Sequence, residues 1–195
     1  MTLSKPVLGA IAGLLLWAGP FASAESATQS TWSLETDPST FAFGGHALHV
    51  RWSPAALPDW TLGVGHYAMN FPELFVELLP DNRNKGWNQR LEQGLGVFAE
   101  RTLRPGGRTV LGLQLAVQHY ELDRDGLAGS VDYSTILAMP YAGVRWRPTG
   151  GPLYIMPWAG LGLSAKLSGD TMLGGEDFTP AAIIPFATMH LGYSF

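Results

Sequence analysis

Pro185-Phe186-Ala187-Thr188-Met189-His190-Leu191-Gly192-Tyr193-Ser194-Phe195 ends the chain; its odd positions from Ala187 are apolar or aromatic, and its even positions from Thr188 are polar or glycine. Side chains of an extended strand alternate between two faces, so this segment reads as a strand with one apolar and one polar face. The same period of two runs through Leu111, Leu113, Leu115 and Val117 against Gly112, Gln114, Ala116 and Gln118. It recurs in Leu153, Ile155, Ala159, Leu161, Leu163 and Leu167 against Gly160, Gly162, Ser164, Lys166 and Ser168. Leu91, Leu95, Val97 and Ala99 alternate with Glu92, Gly94, Gly96 and Glu100 in the same way. Strands of roughly ten residues or more are long enough to cross a bilayer at a tilt.

The 195 residues are 46% apolar and only 14% charged, with 24 Gly, 14 Pro and no Cys. The chain is therefore too apolar for disorder and long enough for one sizeable domain. A disulfide scaffold, a thiolate metal site and a cysteine nucleophile are excluded. A formal net charge of -4 with no basic block argues against a nucleic-acid partner. Low charge beside high glycine is unusual for a soluble protein and points to a surface covered by something other than water.

Residues 1-24 begin Met-Thr-Leu-Ser-Lys, continue through an apolar run from Val7 to Ala18 and end Ala22-Ser23-Ala24. A basic start, a short apolar core and small residues at the end predict a secretory signal peptide cleaved near Ala24, leaving residues 25-195 as one β-barrel domain. The apolar run is shorter than the ~20 residues of a spanning helix, and no later segment offers such a stretch. A membrane-embedded form of this chain would have to be a closed barrel.

Turn signals at Ser53-Pro54-Ala55-Ala56-Leu57-Pro58-Asp59, Arg104-Pro105-Gly106-Gly107 and Pro148-Thr149-Gly150-Gly151 are short. Longer polar connections fall at roughly 70-88, 122-132 and 169-179. Alternating short turns and long loops is the asymmetry of bacterial outer-membrane barrels. In its final residues, His190, Gly192, Tyr193 and Phe195, the chain resembles small outer-membrane β-barrel proteins of the OmpA and OmpW type, and the pattern extends over the whole mature chain. The resemblance implies delivery to the outer membrane of a Gram-negative cell, with those four residues as the signal to the barrel assembly machinery. It also implies that Phe195 lies on the periplasmic side.

With that side fixed, walking back through the connections requires an even count of eight strands, at roughly 29-37, 44-53, 59-69, 89-103, 108-121, 133-147, 152-168 and 180-195. The expected fold is all-β, an eight-stranded antiparallel up-and-down transmembrane β-barrel. Trp52, Trp60, Trp146, Tyr193 and Phe195 then fall near the periplasmic ends, as an interfacial girdle requires. A soluble lipocalin-like barrel would turn the same alternation inside out. The leader, the terminal Phe and the loop asymmetry favour the membrane form.

With the apolar parity outward, the inward set includes Glu35, His49, Arg51, Tyr67, Arg90, Glu92, Glu100, Gln114, Gln118, Tyr141, Arg145, Arg147, Lys166 and His190. Eight strands leave an interior just wide enough for side chains, and buried charges must pair, so Glu35, His49, Arg51, Glu92, Glu100, Arg145, Lys166 and His190 are expected to form a polar network. Inward glycines such as Gly63, Gly94 and Gly112 either make room for large neighbours or leave a pocket. His46 and His49 lack a one-face spacing, so no metal site is expected. His119, near the outer end of its strand with Ser130 or Asp132 close by, is the candidate general base of a lipid-modifying enzyme, although no His-Ser pair on one strand is present.

The run Phe71-Pro72-Glu73-Leu74-Phe75-Val76-Glu77-Leu78-Leu79-Pro80 is unusually apolar for an outer loop. Two helical turns between its prolines would put Leu74, Phe75 and Leu78 on one side, to cap the mouth, rest on headgroups or line an apolar ligand site. The expected function is therefore a non-enzymatic structural or surface-interaction barrel with outer-membrane lipid as its surroundings and no cofactor. Binding or passage of a small apolar ligand and lipid modification are the alternatives.

Overall fold

The computed structural model describes residues 29-195; the expected leader at 1-24 lies outside them. Strands β1 (Thr31–Thr36), β2 (His46–Ser53), β3 (Trp60–Asn70), β4 (Trp87–Thr102), β5 (Thr109–Arg124), β6 (Val131–Val144) and β7 (Leu153–Gly169) follow in order. A two-residue hairpin, β8 (Met172–Leu173) and β9 (Glu176–Asp177), precedes the last strand β10 (Ile183–Ser194). All eight expected long strands are present, with ends shifted by at most a few residues.

Each long strand pairs antiparallel with its chain neighbour, and β1 pairs with β10, so the sheet closes on itself. The seam is narrow. Ser33–Thr36 pair with Leu191–Ser194, and Trp32 and Phe195 exchange backbone hydrogen bonds of 3.2 and 2.9 Å. Above that seam β1 has ended, and a short helix α1 (Pro38–Ala42) fills the gap between β2 and β10. Asp37 caps α1 by accepting from Ser39 N–H at 2.9 Å, and Pro38 occupies the first turn, where its missing N–H costs nothing.

Three connections are short, at 54-59, 103-108 and 145-152, and share one end with the two terminal residues of the ring. At the other end lie α1, the 71-86 loop with its single turn of helix α2 (Glu73–Val76), the 125-130 turn and the 170-182 segment. The two ends are called here the short-turn end and the long-loop end.

The outward face is the apolar one. Leu34, Leu48, Leu62, Val64, Leu95, Val97, Leu111, Val117, Ile136, Leu161, Leu163 and Met189 are all exposed, while Glu35, Arg51, Glu100, Gln118 and His190 are buried within the ring. Trp32, Trp52, Trp146, Tyr193 and Phe195 are exposed at the short-turn end, with Trp32 and Trp52 stacked at 6.1 Å.

Inward glycines take up the bulk of the interior rings. Gly63, Gly65, Gly94, Gly112 and Gly192 stand directly opposite Phe98, His49, Tyr67, Tyr141 and Tyr154 on the neighbouring strand. A Cβ at any of these glycines would run into that ring, so each glycine lets one aromatic ring lie flat across its neighbour. Making room, rather than leaving a pocket, is what these five do.

One irregularity changes the expected parity. Gly94 pairs with Tyr67 but Leu91 with Met69, and Gln93 pairs with His119 but Leu91 with Tyr120, so β4 carries one extra residue against both neighbours. That bulge leaves Glu92 without a partner and reverses the faces beyond it. Leu91 turns into the core, whereas Arg90 and Glu92 are exposed.

Candidate functional site

The interior has two zones. Toward the short-turn end, Arg51 of β2 bridges two carboxylates that flank it around the ring: it contacts Glu35 of the adjacent β1 through Nε and Glu100 of β4, two strands away on the other side, through Nη1 at 2.5 Å. Arg145 Nη2 reaches the same Glu100 oxygen at 2.8 Å, and Tyr141 donates to the other at 2.9 Å. Tyr154 donates to Glu35 at 2.6 Å. Trp158 Nε1 donates to His190 Nε2 at 3.1 Å, which leaves His190 Nδ1 to donate to Glu35 at 3.0 Å and so assigns its tautomer. The Arg51 guanidinium also lies over the Phe98 ring, 4.3 Å from its centroid. Two acids and two arginines cancel in formal charge and every carboxylate oxygen has a partner, the pairing that makes buried ions tolerable, while the buried Nε of Arg145 has no hydrogen-bond partner among the described residues.

Toward the long-loop end the filling is apolar. Met69, Val76, Trp87, Leu91, Tyr120, Leu122, Tyr133 and Phe178 form one buried cluster that closes the mouth. Tyr120 and Tyr133 stack at 4.9 Å, and Trp87 meets Phe178 edge-on at 5.5 Å. Asn82 ties the 71-86 loop down over this cluster: it donates to Thr179 O at 3.0 Å and accepts from Thr179 N–H at 2.8 Å. Between the two zones is a cavity of about 70 Å³, bordered by His49, Tyr67, Gln118, Met139, Phe186 and Thr40 of α1. His49 stacks on His190 at 4.6 Å, and its buried Nδ1 has no hydrogen-bond partner among the described residues.

The structure thus brings together five of the expected network residues, Glu35, Arg51, Glu100, Arg145 and His190, with His49 stacked above them. Glu92 is not among them, because the β4 bulge turns it outward. Lys166 keeps the inward parity but sits at the exposed loop end of β7, where Nζ donates to Thr171 at 3.3 Å. Glu35, His49 and His190 offer nitrogen and oxygen atoms within 4.8 Å of one another. Protein hydrogen bonds already engage both His190 nitrogens and both Glu35 oxygens, so that trio has no free ligand set.

The apolar run at 71-80 also departs from expectation. Its helix lasts one turn, and the side chain it buries in the mouth is Val76, 3% exposed. Leu74, Phe75 and Leu78 are 70%, 49% and 58% exposed and turn away from the lumen. Of the terminal residues, His190 and Gly192 point inward, while Tyr193 and Phe195 lie on the outward face of the seam strand. His119 faces outward as well, and its hydroxyl partner is Ser134, directly opposite on β6 with Oγ 3.1 Å from Nδ1; Ser130 lies on the neighbouring turn. A cross-strand pair of this kind could be found only once the β5–β6 register was known.

Comparison with protein-family models, with curated proteins and with solved structures finds no match for this chain. The functional reading therefore rests on its own geometry.

Proposed function

We infer that the chain is an integral β-barrel of the Gram-negative outer membrane. Its lumen is sealed, and its role is structural or exercised by its outward surfaces. One observation carries the reading: the ring is inverted, with exposed leucine, isoleucine and valine around the outside and ion pairs within. A water-soluble barrel would lose the transfer free energy of that whole belt, whereas lipid surrounds it at no cost and the closed ring leaves no unpaired strand edge. The aromatic residues at the short-turn end suit a headgroup interface, and the narrow β1–β10 seam explains why the last residues would matter to an assembly machinery.

The sealed lumen argues against conduction: ion pairs span one half and an aromatic plug fills the other. Binding of a small apolar molecule is the second reading, favoured by the cavity beneath α1; passage across the membrane would require the Arg51 network to part. The test is Leu161→Arg in chain refolded into phospholipid vesicles. If Leu161 faces the bilayer near its midplane, the substitution lowers unfolding free energy by about 2-4 kcal/mol. An unchanged unfolding midpoint would contradict the membrane assignment.

A further inference from the structure

The outward face near the long-loop end of β4, β5 and β6 carries a cluster that the lumen does not use. His119 Nδ1 lies 3.1 Å from Ser134 Oγ across the β5–β6 ladder. Asp132, two residues before Ser134, shares its face, and Glu92 arrives from β4. One atom from each carboxylate and one ring nitrogen of His119 lie within 4.8 Å of one another. Glu92 is there only because of the β4 bulge, a departure from the ladder that re-aims one side chain toward this spot. A second bulge is on the other side: Ser134 pairs with Ser168 but Thr135 with Lys166, so Leu167 has no cross-strand partner beside the serine. Toward the short-turn end the same face continues as exposed Leu95, Val97, Val117 and Ile136. On the membrane reading, the cluster therefore sits where an apolar belt gives way to polar loops, the depth of the acyl ester linkages of outer-leaflet lipids.

We propose that Ser134, His119 and the Asp132/Glu92 carboxylates form a site that hydrolyses acyl esters of outer-leaflet lipids, with Ser134 as nucleophile and His119 as general base. Ser134 Oγ attacks the ester carbonyl as His119 takes the hydroxyl proton, and the carboxylates stabilise the imidazolium. Collapse of the tetrahedral adduct breaks the ester C–O bond, and His119 returns the proton to the departing lipid alkoxide. Water, deprotonated by His119, then hydrolyses the acyl-serine, releasing a fatty acid and restoring the hydroxyl. Each turnover consumes one ester and one water and needs no other reactant. The proposal rests on the membrane reading for the depth of the site, so folding in detergent is established first, by heat-modifiable migration of the same sample.

The experiment incubates the folded full chain with lipopolysaccharide, and separately with phosphatidylethanolamine vesicles, and measures released fatty acid by mass spectrometry. A fluorophosphonate probe maps the nucleophile in parallel. Release from either lipid, with probe on Ser134, supports the site and identifies the ester's source. Ser134→Ala and His119→Asn then lower release by about a hundredfold or more, Asp132→Asn and Glu92→Gln by less, and His46→Asn, in the separate outward pair with His66, leaves it unchanged. Folded chain that releases no fatty acid from either lipid overturns the proposal. Release that survives Ser134→Ala, or is abolished by EDTA alone, overturns it equally.

Discussion

The two halves of the lumen solve the same problem by opposite means. Near the short turns the interior is filled with charge, Arg51 held between Glu35 and Glu100; near the long loops it is filled with rings, Tyr120 on Tyr133 beneath Trp87 and Phe178. In the charged half each group is tolerable only through its partners, so the loss of one residue is felt by several. In the apolar half each side chain contributes mainly its own contacts, so losses remain local. The sealed lumen is thus one structure with a cooperative end and an additive end.

The largest effect expected from this contrast is at Arg51. Arg51→Met strips a counter-ion from both Glu35 and Glu100 and should cost about 3-5 kcal/mol in denaturant unfolding from vesicles. Adding Glu35→Gln to that variant should recover much of the loss, because Glu100 keeps Arg145 as its partner and the remaining uncompensated charge is then gone. If the double variant is no better than the single one, pairing is not what distinguishes this half. In the apolar half, Leu122→Ala should cost about 2-4 kcal/mol by the same measurement, and a truncation at Val110, in the separate cluster at the short-turn end, should add to it independently.

Most of the architecture was legible because parity is a strong signal where strands are regular. Ala187–Phe195 and Leu111–Gln118 pointed as their alternation says, and the charged residue types marked the lumen before any contact was known. Pairing was another matter, since which acid meets Arg51 depends on how the strands stagger around the ring. Glu92 faces outward against its alternation because a bulge adds one residue that no periodicity announces. The 38-42 helix carried a readable signal, the Asp37-Pro38 cap, within a stretch short enough to pass for a turn. Val76, rather than Leu74, Phe75 or Leu78, plugs the mouth because α2 makes one turn instead of two.

That last difference predicts a smaller effect. Replacing Leu74, Phe75 and Leu78 together with Ser should change unfolding free energy by less than about 0.5 kcal/mol per site, since none is buried, whereas Val76→Ser should be clearly destabilising. The smallest effect is electrostatic. Lys85 Nζ lies 3.0 Å from Glu176 and ties the 71-86 loop to the β8–β9 hairpin, and this bond holds the Glu176 carboxyl below its usual range. A depressed folded-state pKa contributes stability that is present above the ordinary carboxylate range and is lost as pH falls through the lowered value. Proteolytic nicking of the 71-86 loop should therefore increase slightly toward acid pH and with added salt, and Glu176→Gln should remove that pH response.

Which face meets lipid is the claim on which the rest depends, and the chain's lack of cysteine makes it directly measurable. A single Cys at Val97 or Leu161, or at inward Ala116, labelled with an environment-sensitive fluorophore, would be examined in vesicles with and without brominated acyl chains. The account predicts strong quenching at 97 and 161 and little at 116. Quenching at 116 with none at 97 and 161, or a chain that folds to the same β-structure in buffer and ignores the vesicles, would contradict it.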